Sequence, residues 1–94
     1  ELRLLARLIV KFMFKKGENS MEDKLKIFIQ KKIDDANRYS ENIHDVRNCR
    51  GQAFGALMFA QEYNKDLDWD DVGKWWDDYA WVQFRLIEEQ FVYN

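Results

Sequence analysis

Proline is absent from all 94 residues, and the chain holds only four glycines, one cysteine and one histidine. Without proline and with so little glycine, turn-rich sandwiches, collagen-like repeats and proline-rich linkers are excluded, and helix is the default conformation. The lone Cys49 cannot make an internal disulfide, which points to a reducing, cytoplasmic setting and to a small buried side chain rather than a reactive thiol. Long hydrophobic runs are missing too. Arg7 and Lys11 interrupt the longest apolar stretch, so neither a membrane span nor a signal-peptide core is expected. No glycine-rich phosphate loop, CxxC pair or serine nucleophile motif occurs.

What is present is 47% hydrophobic and 16% aromatic, enough for one domain over residues 1–94 with a thin stability margin. The net charge of -2 is unevenly divided. Arg3, Arg7, Lys11, Lys15 and Lys16 make residues 1–16 a basic amphipathic helix, whereas residues 21–94 form an acidic body. Between residues 65 and 94, Lys65, Lys74 and Arg85 stand against eight acids, which should repel DNA from that end.

Two breaks organise the chain. At Gly17-Glu18-Asn19-Ser20, Gly17 suits a helix C-terminus and Ser20, with Asp23, a capping box; at Asn64 to Asp68, Asp68 suits an N-cap with Asp71 three residues on. These signals predict an all-α fold with helices over about 2–16, 21–64 and 69–92. The middle segment carries a coiled-coil-like seam in steps of four and three from Leu25 through Ile29, Lys32, Ala36, Tyr39, Ile43, Val46, Arg50, Ala53, Leu57 and Ala60 to Asn64, nine of its twelve positions apolar. Because the seam keeps phase, the expectation is one continuous middle helix, covered in successive halves by its neighbours as a slender rod. Its open apolar faces would then be completed by dimerisation into a helical bundle. The alternative is a monomeric four-helix bundle with a break near 37–44, where Asn42 and Asp45 can cap a new helix. The last helix has a seam of Val72, Trp76, Tyr79, Gln83, Leu86 and Gln90, and an antiparallel hairpin sets Gln83 beside Arg50.

The four tryptophans all lie between residues 69 and 81. Trp75 and Trp76 fall in the apolar arc and Trp69 at the helix start. On a straight helix Trp81 faces outward among Lys74, Asp77, Asp78, Arg85 and Glu88, and an aromatic in a charged rim is how interface anchors look. Gly51, Gly55 and Phe59 form a separate stripe on the middle helix, either a close internal approach or a partner groove. Metal chemistry is weakly represented. Glu41-x-x-His44 has di-metal spacing but a single histidine, and Asp66-x-Asp68-x-Asp70 departs from a calcium loop at its glycine and glutamate positions.

The expectation is therefore a small non-catalytic regulatory or adaptor protein without cofactor, acting on a protein partner and as a homodimer. Its partner-binding candidates are Trp81, Lys74, Asp78, Arg85, Gly51, Gly55 and Phe59. A phage or mobile-element type inhibitor is one form of this. The alternative is membrane-surface or nucleic-acid contact through the basic column Arg3, Arg7, Lys11 and Lys15, opposite Leu5, Leu8, Ile9 and Phe12. Lys15-Lys16-Gly17-Glu18 ahead of Met21 can be encoded by a purine-rich, ribosome-binding-site-like stretch. Met21 is accordingly a candidate start, and a bacterial or phage origin the matching expectation.

Overall fold

Ser20 Oγ accepts the Asp23 N–H at 3.1 Å and starts helix α1 (Met21–Tyr39), satisfying one of the amide donors that a helix N-terminus leaves open. The structure, a computed structural model, describes residues 20–92. The basic column Arg3, Arg7, Lys11 and Lys15 lies outside them. Helix α2 (Ile43–Tyr63) follows, then α3 (Trp69–Trp75), a π-helical turn (Trp76–Ala80) and α4 (Trp81–Val92). The described residues are all-helical apart from their connections, with no strand among them.

The middle helix is not continuous. Ser40 adopts an extended backbone at φ -69° and ψ 132° and ends α1. Asn42 Oδ1 then accepts the Asp45 N–H at 3.1 Å while Asp45 Oδ2 accepts the Glu41 N–H at 2.8 Å. The Asn42 side-chain oxygen thus holds the Asp45 amide while the Asp45 carboxylate holds the amide just before the cap, a variant of the capping box that marks a new helix start. The longest dimension of the fold is 42 Å, against roughly 65 Å for a straight helix over 21–64. The expected rod is thereby replaced by a fold-back in which α1 and α2 pack along their length.

Folding back turns most of the seam's apolar positions inward, with Ile33 in the core where the seam has Lys32 and Tyr39 left exposed. Leu25, Ile29, Ile33 and Ala36 of α1 meet Val46, Ala53, Leu57 and Ala60 of α2. The C-terminal helices close this core with Val72, Trp76, Ala80, Phe84 and Ile87. Phe84, Ile29, Val46 and Val72 are its largest fully buried side chains, and truncating the Phe84 ring to Ala should cost about 3–5 kcal/mol.

The second correction concerns the last helix. Its buried positions are Val72, Trp76, Ala80, Phe84 and Ile87, so beyond Trp76 each core position falls one residue later than the seam through Tyr79, Gln83 and Leu86. The spacing explains why. Three successive steps of four residues drift by about 120° around an α-helix, and a turn holding one extra residue takes back about 100°. The Trp81 N–H accordingly bonds to the Trp76 carbonyl, five residues back. Pairing of Trp76 with Phe84 (ring centroids 6.3 Å apart) bridges this turn.

The space around Gly73 makes a stability prediction. A Cβ there meets nothing within 4 Å, so Gly73→Ala should stabilise the chain by about 0.5–1 kcal/mol through reduced unfolded-state freedom. Thermal melts followed by circular dichroism should show Tm rising by roughly 2–8 °C. An unchanged or lowered Tm would contradict the open geometry at Gly73.

Candidate functional site

The π-helical turn decides where Trp81 points. In a straight helix it stands among Lys74, Asp77 and Asp78; the inserted residue rotates α4 relative to α3 and brings Trp81 to the edge of the core, against α2. There the Arg50 guanidinium lies 5.1 Å from the centre of its ring, a cation–π contact. Glu88, two turns further along α4, accepts from Arg50 Nη1 at 2.8 Å and from Arg47 Nε at 3.2 Å. Arg50 thus sits between Trp81 and Glu88, which straddle the Gln83 position expected beside it. Glu88 holds two arginines of α2 and fixes the register of the two helices.

Next to this cluster lies an apolar cavity of about 380 Å³ lined by Arg50, Gly51, Phe54, Trp76 and Trp81. Its floor is aromatic: the Phe54 and Trp76 rings are 5.6 Å apart. A second, more polar depression of about 240 Å³ continues from Trp81 over Arg85, Glu88 and Glu89. The structure therefore joins two features that looked separate along the chain, since Gly51 and Trp81 line one hollow and Trp81 and Arg85 the adjoining one. Lys74 and Asp78 do not belong to it. They pair with each other at 2.8 Å and remain largely exposed, so their place on a Trp81-centred face is corrected. Gly55 and Phe59 lie farther along α2 and line neither hollow.

Gly51 and Gly55 are not accounted for by internal packing. A Cβ at either position would meet nothing within 4 Å, so no close approach among the described residues requires them. Phe59 is 66% exposed, and its ring stacks on Tyr63 at 4.7 Å.

The sequence did not single out the polar group that clamps α1 to the C-terminal helices. Lys26 is buried, with Nζ donating to Glu22 Oε2 at 3.2 Å and to Asp71 Oδ2 at 3.1 Å, and it sits 5.6 Å from the Trp75 ring centre. Hydrogen bonding to Lys26 and to Glu22 holds the Asp71 carboxyl below its usual range. One turn on, the Tyr79 hydroxyl donates to Gln30 Oε1 at 2.5 Å and Gln30 Nε2 donates to Asp34. Buried polar groups must be paired, and here the pairing anchors the π-helical turn on α1. The signal was available only as an i,i+4 column of Lys26 and Gln30 on the flank of the α1 stripe.

Other candidates resolve into structure. Asp68 caps α3 by accepting the Asp71 N–H at 3.1 Å, and Trp69 Nε1 donates to the Asn64 carbonyl at 2.9 Å. Among the described residues no group of three or more His, Cys, Asp or Glu side chains is arranged to hold a metal ion. A polar hollow of about 430 Å³ at the α1–α2 corner is lined by Asp35, Tyr39, Ser40, Asp45, Asn48 and Cys49. Burial, then the Asp35 charge, pushes the Cys49 thiol above its ordinary value, which leaves it protonated and a poor nucleophile. No described helix is long and apolar enough to cross a membrane. No family model matches the chain, and no curated protein or solved structure matches it either.

Tyr79 carries a pH prediction. Burial pushes its phenol up from 10.0 to about 12, so the folded state prefers the neutral form. That contribution is whole below pH 10 and is lost as pH rises through about 12. Tyr79→Phe should lower stability near pH 8 by about 1 kcal/mol through the missing hydrogen bond. In melts run from pH 8 to 12 the advantage of the wild type should shrink above pH 10, and a constant gap would contradict the burial of the phenol.

Proposed function

We propose that this is a non-catalytic interaction module that binds protein through the hollow between α2 and α4, with Trp81 and Gly51 on its walls and Arg85 in the adjoining depression. The observation that carries the reading is the pairing of an aromatic-floored, open hollow with a helix face that bears no charge from Gly51 to Gln61. Interfaces are depleted of charge at their centres and enriched in Trp, Phe and Arg. The exposed Phe54, Met58, Phe59 and Tyr63 extend that face along α2, and an apolar surface of this extent on a small chain marks a contact for another molecule.

The rim supports specificity. Arg50 and Arg47 are both already paired with Glu88, so a partner meets a preorganised border and does not have to order these side chains on arrival. The closed Arg50–Trp81 contact makes Trp81 rigid enough to serve as an anchor. An adaptor or inhibitor role fits such a surface, and association of two copies of the chain is the simplest use of it.

A photo-crosslinking residue placed at Gln52 in the native host tests it. One dominant adduct should form in the wild type and fall by about 30-fold on Trp81→Ala, the weakening that loss of an interfacial tryptophan worth about 2 kcal/mol produces. Equal adduct recovery from both would remove Trp81 from the site.

A further inference from the structure

We infer that the surface of α2 is built to pair with a second copy of itself, Phe59 of each chain entering the hollow beside Gly51 of the other. This rests on the protein-binding reading above and names the occupant of that site. Arg47, Gly51, Gly55, Phe59 and Tyr63 follow one another at intervals of four and make a single ridge on the side of α2 opposite its buried Val46, Ala53, Leu57 and Ala60. The ridge is complementary to its own reverse. About Gly55 as centre, the knob Phe59 and the hole Gly51 are each four residues away, about 6 Å along the axis in opposite directions. An antiparallel pair with its two-fold axis at Gly55 places glycine on glycine, each Phe59 over a Gly51, and each Tyr63 toward an Arg47.

The elements of this contact are already in place within one chain. Interdigitation of i,i+4 ridges is the commonest helix crossing, near 50° between axes; the gaps that Gly51 and Gly55 leave in this ridge let the two copies approach, and a two-fold axis makes every contact occur twice. Among the described residues the two glycines have no neighbour that requires them, whereas close approach of two backbones does. Phe59 stands out at 66% exposure, propped against Tyr63. The hollow beside Gly51 has about 380 Å³ of space, ample for a phenyl ring, and aromatic walls in Phe54, Trp76 and Trp81. Aromatic side chains carry about 150–250 Å² each; Phe54, Phe59, Tyr63, Trp81 and Met58 at 38–69% exposure then supply several hundred Å². With the glycine and glutamine surface between them this approaches the about 800 Å² per partner of a standard interface. No like charges meet on the contact, since Gly51 to Gln61 is uncharged.

The test uses the full chain in light scattering and sedimentation equilibrium. The wild type should be a dimer at about 100 µM, and both Phe59→Ser and Gly51→Leu should weaken the dimer by about 30-fold or more with helicity retained. Gly51→Leu is the sharper variant, because a Cβ there meets nothing within 4 Å among the described residues and the added side chain occupies the place that Phe59 of the other chain would take. In a Cys49→Ser background, Gly55→Cys should form a disulfide-linked dimer on mild oxidation and Lys31→Cys, on α1, should not, since a disulfide needs Cα atoms within about 7 Å. A monomer at that concentration, or a dimer that neither variant weakens, overturns the self-pairing. If Trp81→Ala then still loses its cellular adduct, the protein-binding reading stands with a different occupant.

Discussion

The turn at Ser40 to Asn42 determines which surfaces of this small protein are inside. One apolar seam runs from Leu25 to Ala60, and the turn folds it on itself so that its halves bury each other. The capping box of Asn42 and Asp45 supplies the local reason for turning there. Had the helix run on, each half of the seam would have been covered by a single neighbouring helix. Because it folds back, the side of α2 bearing Gly51, Gly55 and Phe59 is left facing outward, while α1 and α4 take the other sides.

The second constraint is the four-residue spacing of Val72, Trp76, Ala80 and Phe84. A regular helix cannot keep such positions in line, and the π-helical turn restores them at the expense of one irregular turn of hydrogen bonding. Tyr79, Gln30 and the buried Lys26 group hold that turn against α1. Its consequence for function is rotational: Trp81 leaves the acidic face and joins Arg50 and Gly51. A feature far smaller than a helix thus moves the main candidate anchor from one surface to another.

These two points mark what could be read along the chain. Ser20, Asn42 and Asp68 were legible as caps because capping depends on residues only three apart, and Trp69, Trp76 and Gly51 were legible by position on a wheel. Continuity of α1 into α2 was not, since a seam in unbroken phase is compatible both with one long helix and with a hairpin whose halves face each other. The π-helical turn escaped because a steady 3.6-residue period was assumed for Val72 to Gln90, and only the run of fours argued otherwise. Lys26 was missed because a lysine on a helix flank is ordinarily solvated, and only its position against Asp71 and Trp75 reveals the clamp.

The self-pairing of α2 brings these strands together, since it uses the ridge that the fold-back exposes and the hollow that the rotated Trp81 completes. Its most direct observable is a contact between two chains. In an equimolar mixture of isotope-labelled and unlabelled protein, filtered nuclear Overhauser spectroscopy should show intermolecular peaks from the Phe59 ring protons to the Gly51 α-protons, together with Gly55 to Gly55 contacts. Intermolecular peaks confined to another face, or none from a sample that is dimeric by mass, would contradict the account.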